Sequence, residues 1–186
     1  MVVLRAKCVV VGNSTVGKSA LTQIFHSDGS HFPKAYSMTI GVELCVKTVN
    51  IPDTNDSVEL FLYDSAGKET FSDYVQEFWD QPSVAIAVFD VTNAESFKSC
   101  NKWLERVKAA ANQDIPAVLV GNKIDLEGRR NVGSNTAEEY AAKKDIQYFE
   151  CSAKEQKNVE APFYYIANEF YHLYQSKLEI MKSLAE

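Results

Sequence analysis

This sequence predicts an α/β fold: a six-stranded, mostly parallel sheet with one antiparallel edge strand and helices on both faces. Two observations carry the prediction. Strand-like and helix-like segments alternate throughout the 186 residues, as in a sheet whose strands are linked by crossing helices. Two of the strand-like segments, Val84 to Phe89 and Ala117 to Val120, are nearly all apolar, as strands covered on both faces must be. The length suits one domain with a substantial core, residues 1–177, followed by a short helical tail at 178–186.

The elements follow in order. Cys8 to Val11 is an apolar run that reads as a buried strand, and Ala20 to Phe25 has helix-forming content. Val42, Leu44 and Val46 alternate with Glu43, Cys45 and Lys47, the pattern of a half-buried strand. Ile51 to Asp56 is dense in turn residues, and Val58, Leu60 and Leu62 form the returning strand, so the pair is an antiparallel hairpin. Phe97, Cys100, Leu104, Val107 and Ala111 share one helical face, with Asn93 placed to cap it. A second such helix covers about Thr136 to Lys144, and Tyr148-Phe149 marks a short last strand. The final helix spans roughly Val159 to Lys177, with Pro162 in its first turn. Its core stripe is Phe163, Ile166, Phe170, Leu173 and Tyr174; Tyr164, Tyr165, Tyr171 and His172 exceed what one stripe needs. These are either half-buried packing residues or an interaction face continued by Leu178, Met181 and Leu184.

The net charge of −6 argues against a nucleic-acid partner. The four cysteines, Cys8, Cys45, Cys100 and Cys151, lie far apart inside apolar segments, without metal-ligand spacing. Reduced buried thiols in a reducing compartment are expected. No apolar run is long enough to span a membrane. The last five residues hold no cysteine and Val2 follows Met1, so neither a prenyl nor a myristoyl anchor is expected.

The chemistry begins directly after the first strand. Gly12, four residues (Asn13, Ser14, Thr15, Val16), then Gly17, Lys18 and Ser19 match the phosphate-binding pattern G-x-x-x-x-G-K-[ST]. The glycines permit a tight turn and a close backbone approach. Successive N–H groups, with the helix N-terminus at Ser19 and Ala20, make a cradle for negative charge. The Lys18 ammonium can reach the outer phosphates, and the Ser19 hydroxyl can ligate Mg²⁺. Asp64, at a strand's C-terminal end, can hold the Mg²⁺ shell; the Gly67 N–H can approach a γ-phosphate with no side chain in the way. Asn122-Lys123-Ile124-Asp125 follows a buried strand. The Asp125 carboxylate can accept from both N1–H and the N2 amino group of guanine, a donor pair adenine lacks on that edge. The Lys123 stem can lie over the ring, and Asn122 can brace the phosphate loop. Ser152-Ala153-Lys154 follows the last strand.

In this order the motifs identify the chain as resembling the Ras superfamily of small GTPases over its whole length, and the Rab-like branch in particular. The resemblance implies the three-layer P-loop small GTPase fold, GTP and GDP as ligands, and Mg²⁺ bound by Ser19, Thr39 and Asp64. It implies that Thr39 also meets the γ-phosphate, that Phe32 lies against the guanine, that Tyr36 covers the phosphates and that the Ala153 N–H meets guanine O6 beside Lys154. Further stretches are similar to the Rab-like GTPases of intraflagellar transport: Phe25 to Phe32, Val46 to Val49, Pro52 to Thr54, Asp64 to Glu69 and Ala161 to Phe163. That likeness implies a place in complex B, in the cilium and cytoplasm, with export of cargo including the BBSome. It implies a heterodimer with a small-heat-shock-like β-sandwich subunit, contacts with other complex B subunits and a link to BBSome-related GTPases.

One departure bears on catalysis. Active small GTPases carry glutamine after the glycine of D-x-x-G; here Lys68 follows Gly67. Glutamine both accepts and donates, and so can orient an attacking water, whereas an ammonium only donates. Slow intrinsic hydrolysis is expected.

Overall fold

The computed structural model describes residues 1–30, 37–68, 70 and 72–184. Six strands form one sheet: β1 (Val3–Val11), β2 (Val42–Asn50), β3 (Ser57–Ser65), β4 (Val84–Asp90), β5 (Ala117–Asn122) and β6 (Gln147–Glu150), in the spatial order β2-β3-β1-β4-β5-β6. Among the described residues, β2 and β3 are the one antiparallel strand pair, from Val42 opposite Ser65 to Asn50 opposite Ser57. Every residue of β4 and β5 is buried, as the apolar runs Val84 to Phe89 and Ala117 to Val120 require, and the polar Asp90 and Asn122 that end them are buried too.

Each face of the sheet has its own core. On one, Cys8, Val10, Leu60, Leu62, Ile86 and Val120 pack against Leu21, Ile24 and Phe25 of α1 (Lys18–His26) and Phe163, Ile166 and Ala167 of α5 (Ala161–Ser183). Phe25 stacks flat on Phe163, with ring centroids 4.1 Å apart. On the other, Val9, Val11, Ala85, Ala87, Phe89 and Leu119 pack against Cys100, Trp103, Leu104 and Val107 of α3 (Ala94–Ala111) and Ala137 and Ala141 of α4 (Ser134–Lys143). The short α2 (Ser72–Gln76) leads into a 3₁₀ turn whose Trp79 is fully buried there. Asn93 caps α3 as its sequence suggests, its Oδ1 accepting from the Glu95 and Ser96 N–H groups.

The edge strand departs from the simple reading of its alternation. Leu44 and Val46 are exposed, while Cys45 packs against the α1/α5 core and Lys47 pairs with Asp28 at 2.6 Å. The apolar set of β2 lies on the sheet face that α3 covers only further in. At the edge, only Val42 reaches that core. The last helix is longer than its apolar stripe, running unbroken to Ser183. Its Tyr171 is a core residue, buried and donating to Asp56 Oδ2 at 2.8 Å, so it is not part of an interaction face. Phe170, Leu173 and Tyr174 are half-buried, and Tyr164, Ile180, Met181 and Leu184 are exposed.

All four cysteines are free thiols, and Cys8, Cys100 and Cys151 are buried. Among the described residues no helix is long and apolar enough to cross a membrane.

Candidate functional site

The C-terminal ends of the parallel strands converge on one cavity of about 460 Å³. Its phosphate-loop side is set by backbone that only particular residues tolerate. Gly17 has φ +99°, and a Cβ there would collide with the Asn122 amide nitrogen. Gly12 has φ +142°, and a Cβ would run into the Val88 carbonyl. Gly17 also stands as the N-cap of α1 without any side-chain cap, so the helix's first N–H groups face the cavity. Ser14, Thr15, Gly17, Lys18, Ser19 and Ala20 line this end. Val16 is buried behind it, and the Asn13 side chain turns away toward α3, where Trp103 Nε1 donates to its Oδ1 at 2.9 Å.

The Lys18 ammonium is almost wholly buried, donating to the Gly12 and Asn13 carbonyls at 3.0 Å each. Burial pushes it down to about 8, and the neighbouring Asp64 carboxylate offsets part of that. Beside it, Ser19 Oγ and Thr39 Oγ1 lie 3.1 Å apart, although twenty residues separate them. Asp64 closes this corner. Both its carboxylate oxygens are buried, and neither has a hydrogen-bond partner among the described residues. Burial pushes Asp64 up to about 6, against the pull of the Ser19 hydroxyl, the Lys18 ammonium and the Thr39 hydroxyl; the two hydroxyls act from outside hydrogen-bond geometry. A buried carboxylate with no donor, facing two hydroxyls, is a set of oxygen ligands that suits a hard divalent cation.

The far end is held by Asn122, whose side chain is itself buried. Its Nδ2 donates to the Val16 carbonyl at 2.9 Å, and its Oδ1 accepts from the Ala153 N–H at 3.1 Å. One amide thus ties the phosphate loop to the loop after β6. Asp125 lines the cavity with one oxygen fixed by Ser152 Oγ at 2.7 Å. Lys123, Ala153 and Lys154 complete this end. The Lys123 ammonium pairs at 2.7 Å with Asp90, at the end of β4. Burial of Asp90 opposes its ionisation, but Lys123 and the Thr92 donors outweigh it and hold the carboxyl below its ordinary range.

The structure therefore brings the phosphate loop, Thr39, Asp64, Gly67, Asn122 to Asp125 and Ser152 to Lys154 to one place. Gly67 sits so close to the Gly12 and Asn13 backbone that no side chain fits between them. Lys68 is exposed beyond Gly67, on the wall of a neighbouring cavity. Phe32 and Tyr36 lie outside the described residues. Asp90, Ser37, Met38 and Leu126 are further members that motif reading did not find. Only Asp90 left a trace, as a carboxylate at the end of a buried strand.

The Ras family model matches residues 7–172. The chain belongs to the Ras family. Membership brings guanine-nucleotide binding with it, and the sheet with one antiparallel pair is that family's fold. The chain is 52% identical over 186 residues to the human protein named Intraflagellar transport protein 27 homolog, covering all of both chains. It is 45% identical over 180 residues to Intraflagellar transport protein 27 of Chlamydomonas reinhardtii, spanning 94% of this chain and 88% of that one. It is 40% identical over 157 residues to human Ras-related protein Rab-30, covering 84% of this chain and 75% of that one.

Proposed function

We propose that this chain is a GTP- and GDP-binding subunit of intraflagellar transport complex B that hydrolyses GTP slowly. Residues 1–177 would be the nucleotide-binding domain and 178–186 a short tail. The observation that carries the nucleotide reading is the cavity bounded by a lysine-centred phosphate cradle at one end and a Ser152-held Asp125 at the other. The cradle N–H groups and Lys18 bind the phosphates, Asp125 selects guanine, Lys123 flanks the ring and the Ala153 N–H meets its O6. Ser19, Thr39 and Asp64 would hold Mg²⁺, which when bound neutralises charge on the outer phosphates. The orphaned carboxylate of Asp64 supports that assignment. Phe32 is proposed to lie against the guanine and Tyr36 to cover the phosphates.

The transport reading rests on full-length identity to proteins named for intraflagellar transport. With it come the proposed cilium and cytoplasm location, the small-heat-shock-like heterodimer partner, the other complex B subunits and the BBSome-related cargo export. Calorimetric titration tests the nucleotide reading. GTP and GDP with magnesium are expected to bind, ATP is not, and Asp125→Ala loses the guanine preference; absence of heat with either guanine nucleotide overturns it. Co-purification from ciliated cells tests the transport reading, which fails if no complex B subunit is recovered.

A second reading, a vesicle-trafficking Rab with full turnover, is favoured by the likeness to Rab-30. Single-turnover hydrolysis separates the two. Lys68→Gln is expected to speed cleavage ~10-fold or more by restoring an acceptor for the water. Equal or faster turnover by the native lysine favours the second reading.

A further inference from the structure

Among the described residues, two side-chain amides tie the phosphate end of the nucleotide cavity to its guanine end. The inner one is Asn122, which reaches the Val16 carbonyl just before α1. The outer one lies at the other end of that helix. Gln156 Nε2 donates to the Gly29 carbonyl at 2.9 Å, although 127 residues separate them. Left-handed backbone presets both partners. Gly29, at φ +78°, closes the turn after α1, its own N–H donating to the Ile24 carbonyl at 2.9 Å. A Cβ on it would stand 2.8 Å from Gln156 Oε1, so the glutamine packs where a side chain would otherwise be. That turn is itself fastened to β2: the Lys47 ammonium donates to the His26 carbonyl at 3.3 Å and pairs with Asp28 at 2.6 Å. Gln156, at φ +54°, stands in a tight loop closed by the antiparallel bridge of Ser152 with Lys157. From the same loop the Ser152 hydroxyl fixes Asp125 at 2.7 Å, and the Ala153 N–H donates to Asn122 at 3.1 Å.

We infer that Gln156 is a positioning residue for the guanine nucleotide: it holds the Ser152–Lys157 loop against the end of α1 and thereby slows nucleotide release. The inference rests on the guanine-nucleotide reading of the site. Ala153 and Lys154 wall the base end of the cavity, so a base leaves freely only when this loop swings away. The loop's bonds to Asn122 and Asp125 run to the segment after β5, which carries the base-selecting carboxylate itself. Those bonds travel with the base end. The Gln156 bond runs instead to the helix whose N-terminus forms the phosphate cradle, so it opposes separation of the two ends. Gln156 does not line the nucleotide cavity and acts through the loop alone. It borders a separate cavity of about 370 Å³, together with Asp28 and Glu160. One hydrogen bond between neutral groups is worth about 2- to 10-fold in an equilibrium, enough to register in a release rate.

Release kinetics test it. The full chain is loaded with tritiated GDP and magnesium, and loss of label is followed after excess unlabelled GDP is added. Gln156→Met keeps the length of the side chain and removes its donor. Gln156→Lys keeps a donor, and the carboxylates of Asp28 and Glu160 on the same cavity wall favour its charge. Gln156 is exposed, and both variants retain a Cβ, so both fold and share the native backbone strain at φ +54°. Gln156→Met is expected to release GDP ~3-fold faster or more, with its association rate unchanged. Gln156→Lys is expected to release it at the native rate. Release is read only from protein that has folded and bound, so a loss of fold stability alone does not move it. Release at the native rate from Gln156→Met, or release as fast from Gln156→Lys as from Gln156→Met, overturns the inference. Native protein that takes up no GDP overturns the guanine-nucleotide reading and this inference with it, a result distinct from a stable complex whose release ignores residue 156.

Discussion

Asn122 offers the sharpest check on how the site is held together. Its two amide atoms satisfy the Val16 carbonyl and the Ala153 N–H, and the side chain is 1% exposed. Asn122→Ala leaves both main-chain groups buried without their partner. A stranded buried polar group costs about 1–3 kcal/mol, so ~4 kcal/mol is a middle value for the pair. In a domain of this size that lowers the Tm of nucleotide-free protein by ~8–16 °C. The prediction sharpens in a double-mutant cycle. Gly17→Ala places a Cβ on the Asn122 amide nitrogen in a backbone conformation at φ +99°, so it carries both a clash and backbone strain. Removing the amide first relieves the clash but not the strain. The two substitutions should therefore couple by ~1–2 kcal/mol, measurable by urea unfolding. A Tm loss under ~2 °C for Asn122→Ala, or a strictly additive cycle, would refute the claim that one side chain clamps both loops.

Two further outcomes are expected. Burial of Glu150 opposes its ionisation, but Arg130 in a bidentate pair at 2.8 and 3.1 Å, with donors from Ser134 and Tyr148, outweighs it and holds the carboxyl below its ordinary range. With the folded value below the unfolded one, the stabilisation is present above the ordinary carboxylate range and is lost as pH falls through the folded value. Urea unfolding from pH 7 down to 3 should show an acid limb that Glu150→Gln flattens; identical limbs would remove this network from the acid response. Burial raises the thiols of Cys8, Cys100 and Cys151, and Cys45 at the sheet edge is pushed up to about 11, also by burial first and then by Asp64 and Glu43. Thiol labelling of the native protein at pH 8 should therefore modify Cys45 slowly and the other three only on unfolding, as read by mass spectrometry.

What the sequence makes legible is what is encoded locally. The phosphate loop, Asn122 to Asp125 and Ser152 to Lys154 each put chemistry at fixed short spacing, and each sits at the end of a strand whose apolar run announces it. Apart from the brace from Asn122 to the phosphate loop, which its motif announces, the molecule's long-range ties are not legible. The bond from Trp103 to Asn13 spans 90 residues and that from Tyr171 to Asp56 spans 115, and no local pattern distinguishes a tryptophan or tyrosine that reaches so far from one that packs nearby. The same holds for Lys123 and Asp90, joined only when β4 and β5 align Asp90 with Asn122. On β2, alternation identifies a strand but not which face is covered. Coverage depends on where α3 ends over the sheet, and at the edge Leu44 and Val46 have no helix above them. Helix lengths stray for a similar reason: α5 runs on past its buried stripe because residues beyond it still favour helix.

The geometry around Lys18 and Asp64 ties stability to occupancy. Two ions are buried side by side here: an ammonium that donates to loop carbonyls and a carboxylate with no hydrogen-bond partner among the described residues. The proposed magnesium-bound polyphosphate would supply more to each: anionic oxygens for the lysine and a divalent cation for the aspartate. Asp64→Asn should thus act with opposite signs in the two states. Without nucleotide it removes a buried charge that has no hydrogen-bond donor, and stability should rise by ~1–3 kcal/mol. With GDP and magnesium at ~1,000 times the native Kd, the native protein gains ~4 kcal/mol from ligand binding, and the variant should forfeit most of it. Thermal unfolding with and without GDP and magnesium reads both arms, and the two curves should cross. A variant less stable than native in both states would mean that Asp64 supports the fold itself. A variant with an undiminished ligand-induced rise would mean that the carboxylate has no part in holding the cation.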